Sequence, residues 1–204
     1  MSPLAPCDLN SDGIKLHQKN ARGFGLMKQY TEQWYPEASK LPTQEYAKLT
    51  QEMQAEGMCR AIEVQRSNPR CGGTLYWQLN DVWPSFSWSS IDVLGKEKIF
   101  HQKLKESYAP QLLTYKIEND SLYVVWVDDQ YSNSYYVNIS GEIKQLQKKN
   151  ARGIGFSGIS ISVNGKISTS EGISLRELKG KYERMLLLNA QYKDVLLERS
   201  FTIR

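Results

Sequence analysis

The spacing of apolar residues changes once along the chain, near Pro110. Upstream, Tyr46, Leu49, Met53 and Ile62 recur at roughly helical intervals behind Thr43, a good N-cap with Gln44 and Glu45 in the first turn, and Asn68-Pro69 closes the run. The spacing predicts one long helix here, a short one over Leu26–Trp34 stopped by Pro36, and a third within Lys96–Glu106. Gly57 inside the long helix costs about 1 kcal/mol relative to alanine, so something is expected to pack closely against that spot. Met1–Arg22 shows no sustained period and reads as extended or loop-like. Between the helices, Thr74–Leu79 reads as a short buried strand, which gives the first half an α/β grammar.

Beyond Pro110 the pattern becomes short runs of Val, Ile, Leu and Tyr bounded by turn residues. Leu112–Ile117 and Leu122–Val127 flank the turn Glu118-Asn119-Asp120. Tyr135–Ile139, Ile159–Val163, Lys166–Ser168, Met185–Leu188 and Val195–Ile203 follow, with Asn164-Gly165 as the strongest hairpin signal. About seven strands in this length predict an antiparallel β-sandwich of immunoglobulin-like size. The expected organisation is therefore 1–109 as an α/β unit and 110–204 as the sandwich, with a boundary at Ser107-Tyr108-Ala109-Pro110. In Leu122–Val127, Tyr123, Val125 and Val127 share one face and Leu122, Val124 and Trp126 the other, and one of the two must be core. A carbohydrate-binding strip of Trp126, Tyr123, Tyr131, Tyr135 and Tyr136 is the competing use of these aromatics.

Composition narrows the class. A hydrophobic share of 40% can fill a core, and a net charge of +4 without a basic stripe gives no nucleic-acid signature. No apolar run is long enough for a transmembrane helix, no membrane partner is expected, and the first thirty residues lack the apolar centre of a signal peptide. Any targeting signal would lie upstream, so the compartment stays open. Cys7, Cys59 and Cys71 form no CxxC pair and His17 and His101 are the two histidines, which argues against a disulfide framework, a metal site or a cofactor motif. Lys19-Asn20-Ala21-Arg22-Gly23 recurs at Lys149–Gly153, but without P-loop context it reads as loop. The sequons Asn119-Asp120-Ser121 and Asn138-Ile139-Ser140 matter only in a secretory host.

The candidate chemistry lies in GGTLYWQLNDVWPSFSWSSID, Gly72–Asp92, which holds Trp77, Trp83 and Trp88. Indole faces match the apolar C–H faces of sugars, and neighbouring Gln, Asn and Asp side chains can bond and select hydroxyls. The plainer reading is an aromatic segment buried as core.

The run LYWQLNDVWPSFSWSSID, with RSNPRCGG before it and GKEKIFHQKLKESYAP after it, resembles glycoside hydrolase family 2, and within it the β-mannosidase branch. HQKN at His17–Asn20 and QAEGMCRAIEVQR at Gln54–Arg66 extend the likeness, which covers about Ile14 to Leu113. The resemblance implies the C-terminal end of a (β/α)8 barrel, with Thr74–Leu79 as its last strand, followed by the immunoglobulin-like sandwich. It also implies a retaining enzyme acting on terminal β-mannosides, with Trp77 forming part of the floor of the mannosyl subsite. Asn80 and Asp81 follow in the loop, to bond sugar hydroxyls or to brace neighbouring loops. Trp83 and Trp88 are expected to pack, with Pro84 fixing the turn.

Retaining glycosidases need two carboxylates about 5–5.5 Å apart. The Asn-Glu and Ser-Glu-Phe-Gly contexts that carry them in the family are absent here, since Ser170-Glu171 lacks the Phe-Gly. No catalytic residue is therefore assigned within the chain. Asp81 and Asp92 as a substitute pair are a remote option, and Glu56 and Glu63 are assigned to the polar face of the long helix. The expectation is an inactive C-terminal portion whose partners are a β-mannoside and the missing N-terminal part of the barrel, or which self-associates through uncovered edges. The alternatives are a non-catalytic carbohydrate-binding or scaffolding sandwich, or a family relative acting on β-galactosides or β-glucuronides.

Overall fold

A computed structural model describes residues 11–145, 153–176, 184–193 and 195–203. It consists mostly of antiparallel β-sheet with a few helices. The chain divides into two units: one takes the residues up to Ile62 and Thr74–Ser107, the other Glu63–Gly73 and the residues from Tyr108 onward. Cys7 and residues 149–152 of the second KNARG copy lie outside the described residues.

The first unit contains α1 (Asp12–Leu16), α2 (Gly23–Trp34), most of α3 (Thr43–Arg66) and α4 (Ile99–Ser107). Helix α1 corrects the loop reading of the N-terminal stretch: Ser11 caps it through its side chain, which accepts from the Ile14 N–H, and Ile14 is buried. Five residues are too few for a periodic signal. Helix α3 starts at Thr43, with the Pro42 carbonyl accepting from the Tyr46 N–H at 2.9 Å. Ala55, Cys59 and Ile62 fall on one stripe and form a core with Phe100 and Leu104 of α4. The close contact expected at Gly57 is absent, because a Cβ there would meet open space.

Thr74–Leu79, expected as a strand, is not part of any sheet among the described residues. A strand is defined by a paired neighbour, and the contacts here are a few bonds to Ser90 and Ile91: Ser90 N–H to the Gln78 carbonyl at 3.1 Å and Ile91 N–H to the Leu79 carbonyl at 2.8 Å. The Trp77–Gln78 peptide bond within the segment is cis.

The second unit holds two sheets. In one, β2 (Ser121–Asp128) pairs with β1 (Gln111–Glu118), β5 (Ile167–Thr169) and β6 (Ile173–Ser174). In the other the order is β4 (Gly153–Val163), β3 (Tyr135–Gln145), β7 (Arg184–Tyr192), β8 (Val195–Ile203). Leu113, Tyr115, Leu122, Val124 and Trp126 from the first sheet share a core with Val137, Ile139, Ile161, Leu186 and Leu188 from the second. Asn119 and Asp120 both take positive φ, 49° and 58°, as a two-residue turn compatible with strand twist requires. Asn164-Gly165 makes no hairpin. Its flanking strands belong to different sheets, β4 pairing with β3 and β5 with β2, so the turn carries the chain from one layer to the other. At the β3 irregularity Gly141 is obligatory, since a Cβ would lie 2.5 Å from the Leu187 carbonyl oxygen.

Both faces of β2 are covered. Val125 and Val127 bury with Leu112 opposite the main core, while Trp126 donates its indole N–H to the Tyr135 hydroxyl at 2.9 Å, which donates to Asp128. Burial, and then that bond to the Asp128 carboxylate, push the Tyr135 phenol well above its ordinary pKa. Trp126, Tyr131 and Tyr135 thus belong to the core or pack against it rather than to a surface strip.

Glu63, assigned to the polar face of α3, is 1% exposed. Its Oε2 accepts from the Thr114 hydroxyl at 2.9 Å and its Oε1 from the Arg199 guanidinium at 2.6 Å. Burial is tolerable because β1 and β8 supply a hydroxyl and an opposite charge. Removing one partner of such a pair costs about 3–5 kcal/mol. Glu63→Gln is expected to lower stability by that order in urea unfolding, and Glu63→Met combined with Arg199→Met to recover most of it. An additive double variant would show the pair to be uncoupled.

Candidate functional site

The site is the segment Tyr76–Lys98, and it is anchored on polar groups. Tyr76 packs edge-on against Phe100 with ring centroids 5.1 Å apart. Its hydroxyl lies 3.0 Å from Ser90 Oγ, which also lies 3.0 Å from His101 Nδ1. Ser90 has one hydroxyl proton and donates it to the Leu79 carbonyl at 2.9 Å, so Tyr76 and His101 are the donors toward Ser90. Ser90 is 0% exposed.

The second anchor is Asp81, 4% exposed. Lys19 Nζ donates to its Oδ1 at 3.2 Å and Lys98 Nζ to its Oδ2 at 3.2 Å. The hydroxyls of Ser87 and Ser89 lie 2.7 and 2.5 Å from Oδ2, and that of Ser85 lies 3.3 Å from Oδ1. Lys98 also reaches Ser89 Oγ at 2.9 Å. Burial alone would raise this carboxyl's pKa, but the bonds from Ser89, Ser87 and Lys19 and the charge of Lys98 outweigh it and hold the group well below the usual carboxylate range. Both oxygens are occupied, which makes Asp81 a brace for its loop in this structure. Asp92 is also occupied: its Oδ1 accepts the N–H groups of Leu94 and Lys96 at 2.9 and 2.8 Å, a turn-forming role.

The aromatic side chains point the other way. Trp77 is 76% exposed. Asn80 is exposed beside it, with its side-chain N–H on the Asp81 carbonyl at 3.3 Å and its own carbonyl accepting from Gln78. Trp83 and Trp88, expected to pack, are half-exposed, because the interior of the loop is filled by serines and Asp81. Trp83 stacks on His17 at 6.0 Å and Lys19 lies 5.6 Å over the Trp88 ring.

Sequence reasoning missed Lys19, Lys98 and the three serines. Lys19 belongs to the first KNARG copy, read as plain loop, and the available signal was the alternation Ser85, Ser87, Ser89 downstream of a lone Asp. Among the described residues no group of three or more His, Cys, Asp or Glu is placed to hold a metal, and no helix is long and apolar enough to cross a membrane.

The hub has a pH signature. Asp81's folded pKa lies below its unfolded value of about 3.9, so its stabilisation is complete above that value and is lost as pH falls through it toward the folded one. Asp81→Asn is expected to cost about 3–5 kcal/mol at neutral pH, leaving two ammonium groups without their carboxylate. It is also expected to flatten the acid limb of stability against pH, measured by urea unfolding between pH 2 and pH 7. An unchanged acid limb in the variant would refute the assignment.

No family model matches the chain. Beta-mannosidase from Capra hircus is 36% identical to it over 89 residues, 40% of this chain and 10% of that protein. Beta-mannosidase A from Aspergillus clavatus is 30% identical over 142 residues, 62% of this chain and 15% of that protein. The structure of a β-D-mannosidase from Dictyoglomus thermophilum matches with a TM-score of 0.77 at 23% identity, over 94% of this chain and 23% of that one. An exo-chitosanase, CsxA from Amycolatopsis orientalis, matches with a TM-score of 0.60 at 16% identity, over 79% of this chain and 20% of that one. At these identities the structural likenesses establish the fold. The chain spans between 10% and 15% of the length of the two curated relatives. The chain is thus similar in sequence to β-mannosidases and in fold to a solved β-D-mannosidase, resembling the C-terminal part of such glycoside hydrolase family 2 enzymes.

Proposed function

We propose that the chain is the C-terminal portion of a retaining β-mannosidase-like hydrolase of terminal β-mannosides. In this reading residues 1–109 complete a (β/α)8 barrel, 110–204 form an immunoglobulin-like sandwich, and the catalytic glutamates lie elsewhere in the parent protein. Trp77 supplies part of the floor for the mannosyl ring, Asn80 bonds its hydroxyls, and Asp81 holds the loop that carries both.

The observation that carries the proposal is the two-sidedness of Thr74–Leu79. Tyr76 packs against the helical core containing Phe100, while Leu75, Trp77 and Leu79 are 101%, 76% and 53% exposed. A barrel strand has this character, with one set of side chains against the surrounding helices and the other toward the barrel interior. A site wall at the strand's C-terminal end then falls near Trp77, Asn80 and Asp81. Mannoside is favoured over galactoside by the names of the curated relatives.

The purified chain is expected to release no product from aryl β-mannoside or the matched β-galactoside. Turnover of the mannoside would refute the non-catalytic reading, since the carboxylate pair would then lie within the chain. Methyl β-mannoside is expected to perturb the Trp77 indole resonance and to bind weakly by calorimetry, with the calorimetric binding lost in Trp77→Ala. Retention of sugar binding in that variant would remove Trp77 from the subsite.

The exposed apolar side chains of Leu75 and Leu79 are also expected to drive association. Sedimentation velocity should show oligomers that grow with concentration. A monodisperse monomer at high concentration would argue against an uncovered barrel edge.

A further inference from the structure

We infer that the Trp83–His17 pair is a second sugar-binding position, separate from the one at Trp77. The inference rests on the sugar-binding reading of this loop and extends it to residues with no role in that reading. Trp83 is 38% exposed. Its ring stacks on the His17 imidazole with centroids 6.0 Å apart and planes inclined by 27°.

The pair is held in place. His17 Nδ1 lies 2.7 Å from the Pro84 carbonyl oxygen. A carbonyl only accepts, so Nδ1 carries the proton, and in the neutral ring Nε2 is an acceptor. The two segments are also stitched through the backbone: the Phe86 N–H donates to the His17 carbonyl at 2.8 Å, and the Lys19 N–H to the Phe86 carbonyl at 3.3 Å. Lys19 then continues to Asp81. An aromatic pair fixed in this way loses little further freedom on binding, which is what an aromatic platform requires.

Its polar edges complete the argument. Among the described residues, neither the Trp83 indole N–H nor His17 Nε2 has a hydrogen-bond partner. One is a donor and the other an acceptor. Sugar hydroxyls both donate and accept, so a pyranoside lying on the pair can satisfy both edges while its C–H face covers the ring. The ligand class is a neutral pyranoside. A purely apolar partner would leave both polar edges buried and unpaired, at a cost.

The test uses the whole chain, β-1,4-mannotriose and methyl β-mannoside, with binding followed by calorimetry and by indole resonances. Trp83→Ala and His17→Ala are expected to weaken mannotriose at least tenfold, while the perturbation by methyl β-mannoside at Trp77 stays as in the parent chain. Trp83→Phe, which keeps the ring and loses the N–H, is expected to fall between, and it guards against a misfolded alanine variant. Unchanged mannotriose affinity in Trp83→Ala and His17→Ala would overturn the second position while leaving Trp77 in place. Loss of both sugars in Trp77→Ala alone would do the same. A chain that binds neither sugar would overturn both positions, and the assay with aryl β-mannoside would still decide separately whether the chain is catalytic.

Discussion

Everything at the candidate site depends on keeping one carboxylate ionised away from water. Asp81 is buried to 4% exposure, and an isolated charge so placed would neutralise itself rather than remain. Two ammonium groups and the nearby serine hydroxyls make the ionised form the favoured one. These groups come from three parts of the chain: Lys19 from before α2, Lys98 from the residue just before α4, and Ser85, Ser87 and Ser89 from the loop itself. The carboxylate therefore selects the loop's path, because any other path would leave at least one charged group without its partner.

The second unit solves a similar problem with Glu63, which is shared between Thr114 on β1 and Arg199 on β8. Here the strands of two sheets supply the partners, and the ion pair ties the last turn of α3 to both. Asp129, bonded to Arg66 at 2.7 Å and Lys166 at 2.8 Å, adds a more exposed link of the same kind. Neither pair has an apolar signature, yet each fixes the neighbourhood of an element that hydrophobic burial alone leaves free to slide.

This difference explains what could be read from the sequence. The long helix, α4 and most strands were legible, because each has a repeated apolar pattern, as in Ala55, Cys59 and Ile62 or Leu122, Val124 and Trp126. The register of Asn164-Gly165 was not legible. A turn dipeptide specifies the local bend, but which sheet the next strand joins depends on the free edge of β2. The burial of Glu63 was hidden because its partners lie 51 and 136 residues away. Similarly, the aromatic segment announced itself, while the placement of Trp83 and Trp88 depended on Lys19 and Lys98, whose roles appear only when Asp81 is buried.

The loop as folded inverts the ordinary distribution of polarity. Asp81, Ser89 and Ser90 are buried, while Leu75, Trp77 and Val82 are 101%, 76% and 79% exposed. Soluble proteins expose single apolar residues freely, but seldom a cluster over a polar interior. Filling the inside with hydrogen-bonded groups removes any hydrophobic reason for the indoles to turn inward, and the buried ion pairs hold them outward. Their apolar area then gains free energy only when something covers it. For Leu75 and Leu79, which lack polar edges, the natural cover is further protein. For Trp77 and Trp83, each with an N–H at its edge, the sugar ring proposed above would supply a cover that is flat and polar at its rim.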